Sequence, residues 1–470
     1  MMKLATVLHL LFFAAGAVLS AQEFSFDIDT LVYSGTTENR INLVILGDGY
    51  QEHELDKFLD DSQIFLGKFF ATTPVREYRS YFNVIAIKVI SEESGASHPG
   101  TANDEFPLAN HPVKTVNNFF GSTFDYAGIH RLLVATNSFR ISSVLASHFP
   151  EYDQAIILVN SPYYGGAGGQ FPTASTDASS ANVAIHELGH SFAGLSDEYW
   201  AGNQYARENI NMTQVTDPAS VRWNRWMDAE GVGVYQHCCG GNSAQWYKPY
   251  TSCKMQVSLM EFCPVCVEAF VEEFHFLVTP LEGHRPVEAV VEENMFPRTF
   301  ALDLLHPDPS TLKTVWNLNG SVLAEDVDSV QLTGKELEEG NNRLVVSIYD
   351  ETSFTRSEIH SDLHRYSVTW TIAYSSEASV ITSARRAFHL QTFPNPSSGQ
   401  FLIEYQLDEA SRVALHLMDV SGNVLQKGDA QLQEAGRHSV HLDLDQYPDG
   451  AYMLEIEVDG ISYHHKILKT

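Results

Sequence analysis

Positive charge is scarce in this 470-residue chain: 29 Lys and Arg stand against 59 Asp and Glu, for a formal net charge of −30. That balance argues against nucleic acid or an anionic membrane surface as partner, since it would repel both. Long apolar runs are also missing. Residues 1–21 hold Lys3, a short apolar run from Leu8 to Leu19, and the small residues Ser20 and Ala21. The run is too short to span a bilayer and predicts a secretory signal peptide, with the mature chain beginning near Gln22. No later segment approaches eighteen apolar residues, so no membrane span and a soluble mature protein are expected. Cysteine is rare, and all five lie in one window: Cys238, Cys239, Cys253, Cys263 and Cys266. In an exported chain such clustering predicts disulfide stapling of one loop region. Cys263-Pro-Val-Cys266 could instead supply half of a structural zinc site; no thioredoxin-like pattern surrounds it to favour a redox pair. Five is odd, so one thiol is left free, paired between chains or masked. No Gly-Lys-Ser/Thr follows the glycine-rich stretch 163–169, which argues against a phosphate cradle there.

What is present is concentrated at His186–Tyr199, H-E-L-G-H-S-F-A-G-L-S-D-E-Y. Residues i and i+4 share one face of an α-helix, so His186 and His190 can meet at a single ion. Glu187, one step around, can reach a water at that ion without ligating it. A catalytic zinc takes three protein ligands and keeps its fourth position open. In metzincin-type sites a glycine ends the helix three residues after the second histidine and the last ligand comes six after it. Here Gly194 stands four residues on and Asp197 seven. Asp197 is therefore the expected third ligand, with Glu198 as fallback because the insertion blurs the register. Tyr199, which follows, is a candidate oxyanion stabiliser, although a packed aromatic is the plainer reading.

Strand and helix patterns alternate from Ile41 to about Leu281. Ile41–Leu46, Phe82–Ile90, His130–Ala135 and Gln154–Asn160 read as strands, and Glu54–Phe70 as a helix. This predicts an α/β layered domain over 22–282 with a buried sheet. Tyr163–Gly169, rich in glycine and just ahead of the metal helix, suits an edge strand against which substrate backbone could lie. Tyr164, Gly165 and Gly166 are its candidate residues; a flexible loop is the other reading. From 283 to 385 short alternating strands separated by turns such as Asn319-Gly320 predict an immunoglobulin- or fibronectin-type-III-like β-sandwich, a spacer or accessory module. A further compact β-domain is expected over 390–470.

The residues Gly47-Asp48-Gly49-Tyr50, Phe82-Asn83-Val84, Ser94-Gly95, Tyr164-Gly165-Gly166, the long H-E motif, Cys253-Lys-Met255 and Phe262-Cys-Pro-Val-Cys266 resemble the IgA-peptidase-like secreted zinc metallopeptidases of the metzincin clan. The resemblance spans roughly 41–280. It implies an endopeptidase with one catalytic zinc, ligands His186 and His190, and Glu187 as general base. It also implies a methionine turn beneath the metal, at Met255 or, second, Met260. The family's name reflects one substrate, and that specificity is not carried over. Phe393-Pro-Asn-Pro396, Met418-Asp-Val-Ser-Gly422, Gly450-Ala-Tyr452 and the final Lys466 and Lys469 resemble the C-terminal sorting domain of type IX secretion in Bacteroidetes. That implies passage through the periplasm to the medium or cell surface, with the secretion machinery and a polypeptide substrate as partners. The alternative is a secreted binding or adhesion protein whose zinc site is structural or vestigial. Glu187 argues against it, because a structural site needs no glutamate there and more often has four protein ligands.

Overall fold

The computed structural model describes residues 25–104, 111–238, 240–291, 296–375, 390–407, 410–419, 424–458 and 461–470. The expected signal peptide and Cys239 lie outside the described residues. The chain is mixed α/β and forms two compact units. The first takes in Met1–Glu282 together with two later segments, Leu304–Leu312 and Tyr349–Arg365. The second takes in Gly283–Asp303, Lys313–Ile348 and Tyr366–Thr470.

The first unit is built on a six-stranded sheet. Its strands are β1 (Ile28–Val32), β2 (Ile41–Asp48), β3 (Phe82–Ile87), β4 (Gln154–Val159), β5 (Gly166–Ala167) and β6 (Thr173–Ser175), in the order β1-β3-β2-β4-β6-β5. β2 pairs in parallel with β3 and β4, and β4 with β6; the outer strands β1 and β5 run antiparallel to their neighbours. Strands covered on both faces read as unbroken apolar runs, and every residue of β2 and β3 is buried. Alternate residues divide between two cores. Ile41, Leu43, Ile45, Val84, Ala86, Ile156 and Leu158 join one; Val44, Leu46, Ile85, Ile87, Ile157 and Val159 join the other. On the first face lie helices α1 (Leu55–Phe69), α3 (Ser180–Ser191) and α4 (Pro264–Leu277); on the second lies α2 (Ser138–His148). Ile45 is fully buried, and its truncation to alanine would cost about 2–5 kcal/mol.

Buried polar bonds bring the two later segments onto this core. Tyr78 Oη donates to Asp350 Oδ2 at 2.6 Å, and His275 Nε2 bonds the same oxygen at 2.9 Å. Ser80 donates to the His306 carbonyl at 2.9 Å, and Thr355 to Glu272 at 2.6 Å.

Val290–Val291, Tyr366–Tyr374, Gly340–Asp350, Leu312–Leu318 and Ser321–Glu325 make a five-stranded sheet in that order. A three-stranded sheet accompanies it, including Arg298–Leu304 and Ser329–Leu332. Burial alternates along Leu312–Leu318, the mark of strands with one face on a core. Trp316 and Trp370 stack there with ring centroids 5.9 Å apart, and each indole N–H reaches a backbone carbonyl. The Asn319-Gly320 turn has φ of 52° and 86°, the left-handed pair that a two-residue hairpin requires. Over 391–470 a three-stranded and a five-stranded sheet enclose Phe401, Ile403, Tyr405, Leu417, Leu454, Ile456 and Ile467. Gly450–Val458 and Ile461–Lys469 form the last hairpin, and Lys469 Nζ donates to the Tyr447 carbonyl at 2.6 Å.

Candidate active site

Helix α3 carries the central motif because its apolar residues keep helical spacing: Ala181, Ala184, Ile185 and Leu188 face the core. His186 and His190 then share a face, with ring centroids 5.0 Å apart. Each is held by its inner nitrogen. His186 Nδ1 bonds the Lys254 carbonyl and His190 Nδ1 the Leu195 carbonyl, both at 2.8 Å. A carbonyl only accepts, so both Nδ1 atoms carry the proton and both Nε2 atoms present a lone pair.

The two Nε2 atoms converge on Asp197 Oδ1, at 3.2 Å from His186 and 3.1 Å from His190. A tetrahedral ion with bonds of about 2.1 Å sets its ligand atoms about 3.4 Å apart. Donor type, tautomer and spacing all fit a divalent ion with one position left open. Burial alone would raise the Asp197 carboxyl, but the close approach of the His186 and His190 imidazoles outweighs it and holds the group well below the usual carboxylate range. Burial would lower His190, and the neighbouring Asp197 carboxylate, which favours the protonated imidazole, raises it instead.

The chain reaches Asp197 through a tight exit from the helix. Phe192 N bonds Leu188 O, Leu195 N bonds Gly189 O at 2.9 Å, and Gly194 takes φ +64°. That left-handed conformation is costly for a residue with a Cβ. Glu198, the fallback ligand, does not enter this site. It is fully buried and its Oε1 lies 3.3 Å from Cys266 Sγ.

Glu187 stands at the rim, with Oε2 3.9 Å from His190 Nε2. Burial raises its pKa, with the neighbouring imidazoles opposing. Its place depends on Gly168, because a Cβ there would fall 2.0 Å from Glu187 Oε2. The glycine-rich segment thus ends against the carboxylate. Its strand is two residues long, Gly166–Ala167 at the sheet edge; Tyr164 and Gly165 precede it, and Gly165 N donates to Ser180 Oγ at the start of α3.

Met255 is fully buried beneath α3, so close that a Cβ on Gly189 would lie 2.5 Å from its sulfur. It sits in a turn in which Gln256 N and Val257 N both bond Cys253 O, and its own carbonyl accepts from Glu198 N at 2.8 Å. Met260 is exposed and lies outside this packing. The Tyr199 ring lies 6.4 Å from that of His186, and burial with the nearby Asp197 and Glu187 charges raises its hydroxyl pKa.

Some features had no sequence signal. The two carbonyls that fix the tautomers belong to Lys254 and Leu195, whose side chains are irrelevant to that role. Gly168 was one glycine among several. His237, buried, with its pKa brought to about 4 by burial and by Lys248, also falls within electrostatic range of Asp197.

The disulfide expectation is not met among the described residues: no disulfide is formed, and Cys253, Cys263 and Cys266 are free thiols. These three converge elsewhere, on Glu198. The His130–Ala135 strand is also shorter than expected, a two-residue bridge at Val134–Ala135 with Ser122–Thr123.

This centre has the donors of a metal-dependent hydrolase. Residues 30–237 match the family model described as IgA Peptidase M64, and residues 391–470 the one described as the secretion system C-terminal sorting domain. The first match covers less than half of the chain and supports a peptidase; the second is a type IX sorting domain, which indicates secretion and cell-surface attachment in Bacteroidetes. A comparison with curated proteins returned no match. Among solved structures, the chain is similar to an apo β-glucuronidase 3 of Bacteroides uniformis at 10% identity, TM-score 0.15, covering 48% of this chain and 29% of that one. It is similar to the fibronectin(III)-like modules of Clostridium thermocellum CbhA at 10% identity, TM-score 0.16, covering 40% and 93%. At these scores neither carries an argument. Among the described residues no helix is long and apolar enough to cross a membrane.

Proposed function

We propose that the protein is a secreted zinc endopeptidase of metzincin-like fold, followed by two β-sandwich domains. The observation that carries this reading is the convergence of His186 Nε2, His190 Nε2 and Asp197 Oδ1, with Glu187 Oε2 3.9 Å from His190 Nε2. When bound, a zinc ion at these atoms would supply Lewis-acid polarisation of a peptide carbonyl and a lowered pKa for water at its open position.

The chain's own groups do the rest. Glu187 Oε2 takes the proton of the attacking water, which burial and the raised pKa favour, and later delivers it to the leaving amine. Gly168 leaves room for that carboxylate, and the Lys254 and Leu195 carbonyls keep both imidazoles in the ligating tautomer. The edge strand Gly166–Ala167 offers backbone groups to an extended peptide by strand addition, with Tyr164 and Gly165 at its approach. Tyr199 stands close enough to His186 to assist the oxyanion.

Backbone contacts of this kind bind many sequences alike, so extended or unfolded polypeptides are the substrate class. The purified chain should cleave denatured casein and leave compact globular proteins largely intact. A chelator should abolish the activity and zinc restore it. Activity that survives exhaustive chelation, or acts on one defined sequence and not on denatured protein, would contradict this reading.

A further inference from the structure

The cysteine window holds a second centre. Cys253, Cys263, Cys266 and Glu198 bring one ligand atom each to within 4.8 Å of one another, and all four residues are buried. The spacings are those of a filled coordination shell. A tetrahedral ion with metal–sulfur bonds of about 2.3 Å sets two sulfurs about 3.8 Å apart, and a sulfur and a carboxylate oxygen about 3.5 Å apart. Cys253 and Cys266 sulfurs are separated by 3.7 Å. Glu198 Oε1 lies 3.3 Å from Cys266 Sγ and 3.8 Å from Cys263 Sγ.

Two further observations point to a ligand. Glu198 Oε2 is buried with no hydrogen-bond partner, a costly arrangement for a carboxylate unless something else meets it. N–H donors also surround the cluster: Cys263 N points at Cys253 Sγ at 3.3 Å, and Asn211 Nδ2 reaches Glu198 Oε1 at 3.3 Å. Such donors suit sulfur and oxygen atoms that carry negative charge. A disulfide would consume only two of the three thiols and leave the third beside an unpartnered buried carboxylate. One ion satisfies all four groups.

We propose that Cys253, Cys263, Cys266 and Glu198 form a closed, four-ligand structural site for a thiophilic divalent ion, zinc by preference. The site is separate from the catalytic centre and does not depend on the peptidase reading. Its ligands join three pieces of chain: the loop that delivers Asp197, the Met255 turn, and the start of α4, where Cys263 precedes Pro264 and Cys266 lies in the first turn. An ion there fixes the neighbours of a catalytic ligand, and it also keeps three thiols reduced in an oxidising compartment.

The test uses the full-length secreted chain carrying His186→Ala and His190→Ala, which empties the catalytic centre and leaves this cluster intact. We expect about one zinc per chain by elemental analysis. X-ray absorption should show a sulfur shell at about 2.3 Å, and cobalt substitution should give thiolate-to-metal charge-transfer absorption. Adding Glu198→Gln, which keeps the side chain's size, should weaken metal retention against a chelator at least tenfold. Should that variant fail to fold, the unsubstituted chain decides alone: about two zinc ions, one in a sulfur-rich shell. Zinc with only nitrogen and oxygen neighbours would overturn the proposal. So would a Cys253–Cys266 or Cys263–Cys266 disulfide in the mass spectrum of the unreduced, alkylated protein.

Discussion

Asp197 and Glu198 are neighbours in the chain and serve two centres of opposite character. Around Asp197 the side chains are partly open: His190 keeps 28% of its side-chain exposure and Asp197 keeps 17%. Around Glu198 nothing is open, and Glu198, Cys253 and Cys266 have no exposed surface. The proposed catalytic centre offers three candidate ligand atoms, with Glu187 Oε2 3.9 Å from His190 Nε2; the proposed thiol centre offers four, all on buried residues. Openness and ligand number, rather than the presence of a metal-binding cluster, distinguish a site that can turn over from one that can only hold the fold together.

The largest separation between the two should come from removing ligands. His186→Ala, His190→Ala or Asp197→Ala should each lower zinc affinity at the catalytic centre by orders of magnitude and abolish hydrolysis, because three ligands leave no spare. The circular dichroism spectrum should barely change. Asp197→Ala with normal zinc retention and activity would show that the third ligand has been misassigned.

A smaller effect is expected at Gly168. Gly168→Ala sets a methyl group 2.0 Å from where Glu187 Oε2 now lies, so the carboxylate must move. A displacement of about 1 Å at a catalytic group costs roughly a hundredfold in rate. The fall should appear in kcat, with zinc content unchanged. An equal kcat would mean that Glu187 has freedom the packing does not suggest.

The smallest effect concerns stability, away from both centres. Burial would raise the Asp350 carboxyl, but its bonds, foremost that from His275, hold it below its ordinary value. A carboxyl depressed in the folded state contributes stability above the unfolded pKa, about 3.9, and loses it as pH falls through the folded value. Asp350→Asn should therefore lower Tm at neutral pH, and the deficit should shrink below about pH 4. A deficit unchanged between pH 7 and pH 3 would remove Asp350 from the acid response.

Much of the candidate site's geometry could be read in the chain because it is local. His186, Glu187, His190 and Asp197 lie within twelve residues, and helical spacing with a helix-ending glycine determines how they meet. The buried sheet was readable for a similar reason, since β2 and β3 are mostly apolar runs. The thiol centre was not. Glu198 and Cys266 are 68 residues apart, and in an exported chain the general rule for clustered cysteines favours disulfides. The return of Tyr349–Arg365 to the first unit was equally hidden, because Tyr78 meets Asp350 across 272 residues. No periodic pattern encodes such a contact.

The claim that Glu187 is the base and not a ligand is tested most directly by Glu187→Gln, assayed on denatured casein at matched zinc content. The account predicts that turnover falls by at least about 10²–10⁴ while the zinc bound per chain equals that of the unsubstituted protein. Turnover at the original rate in the zinc-loaded variant would contradict it.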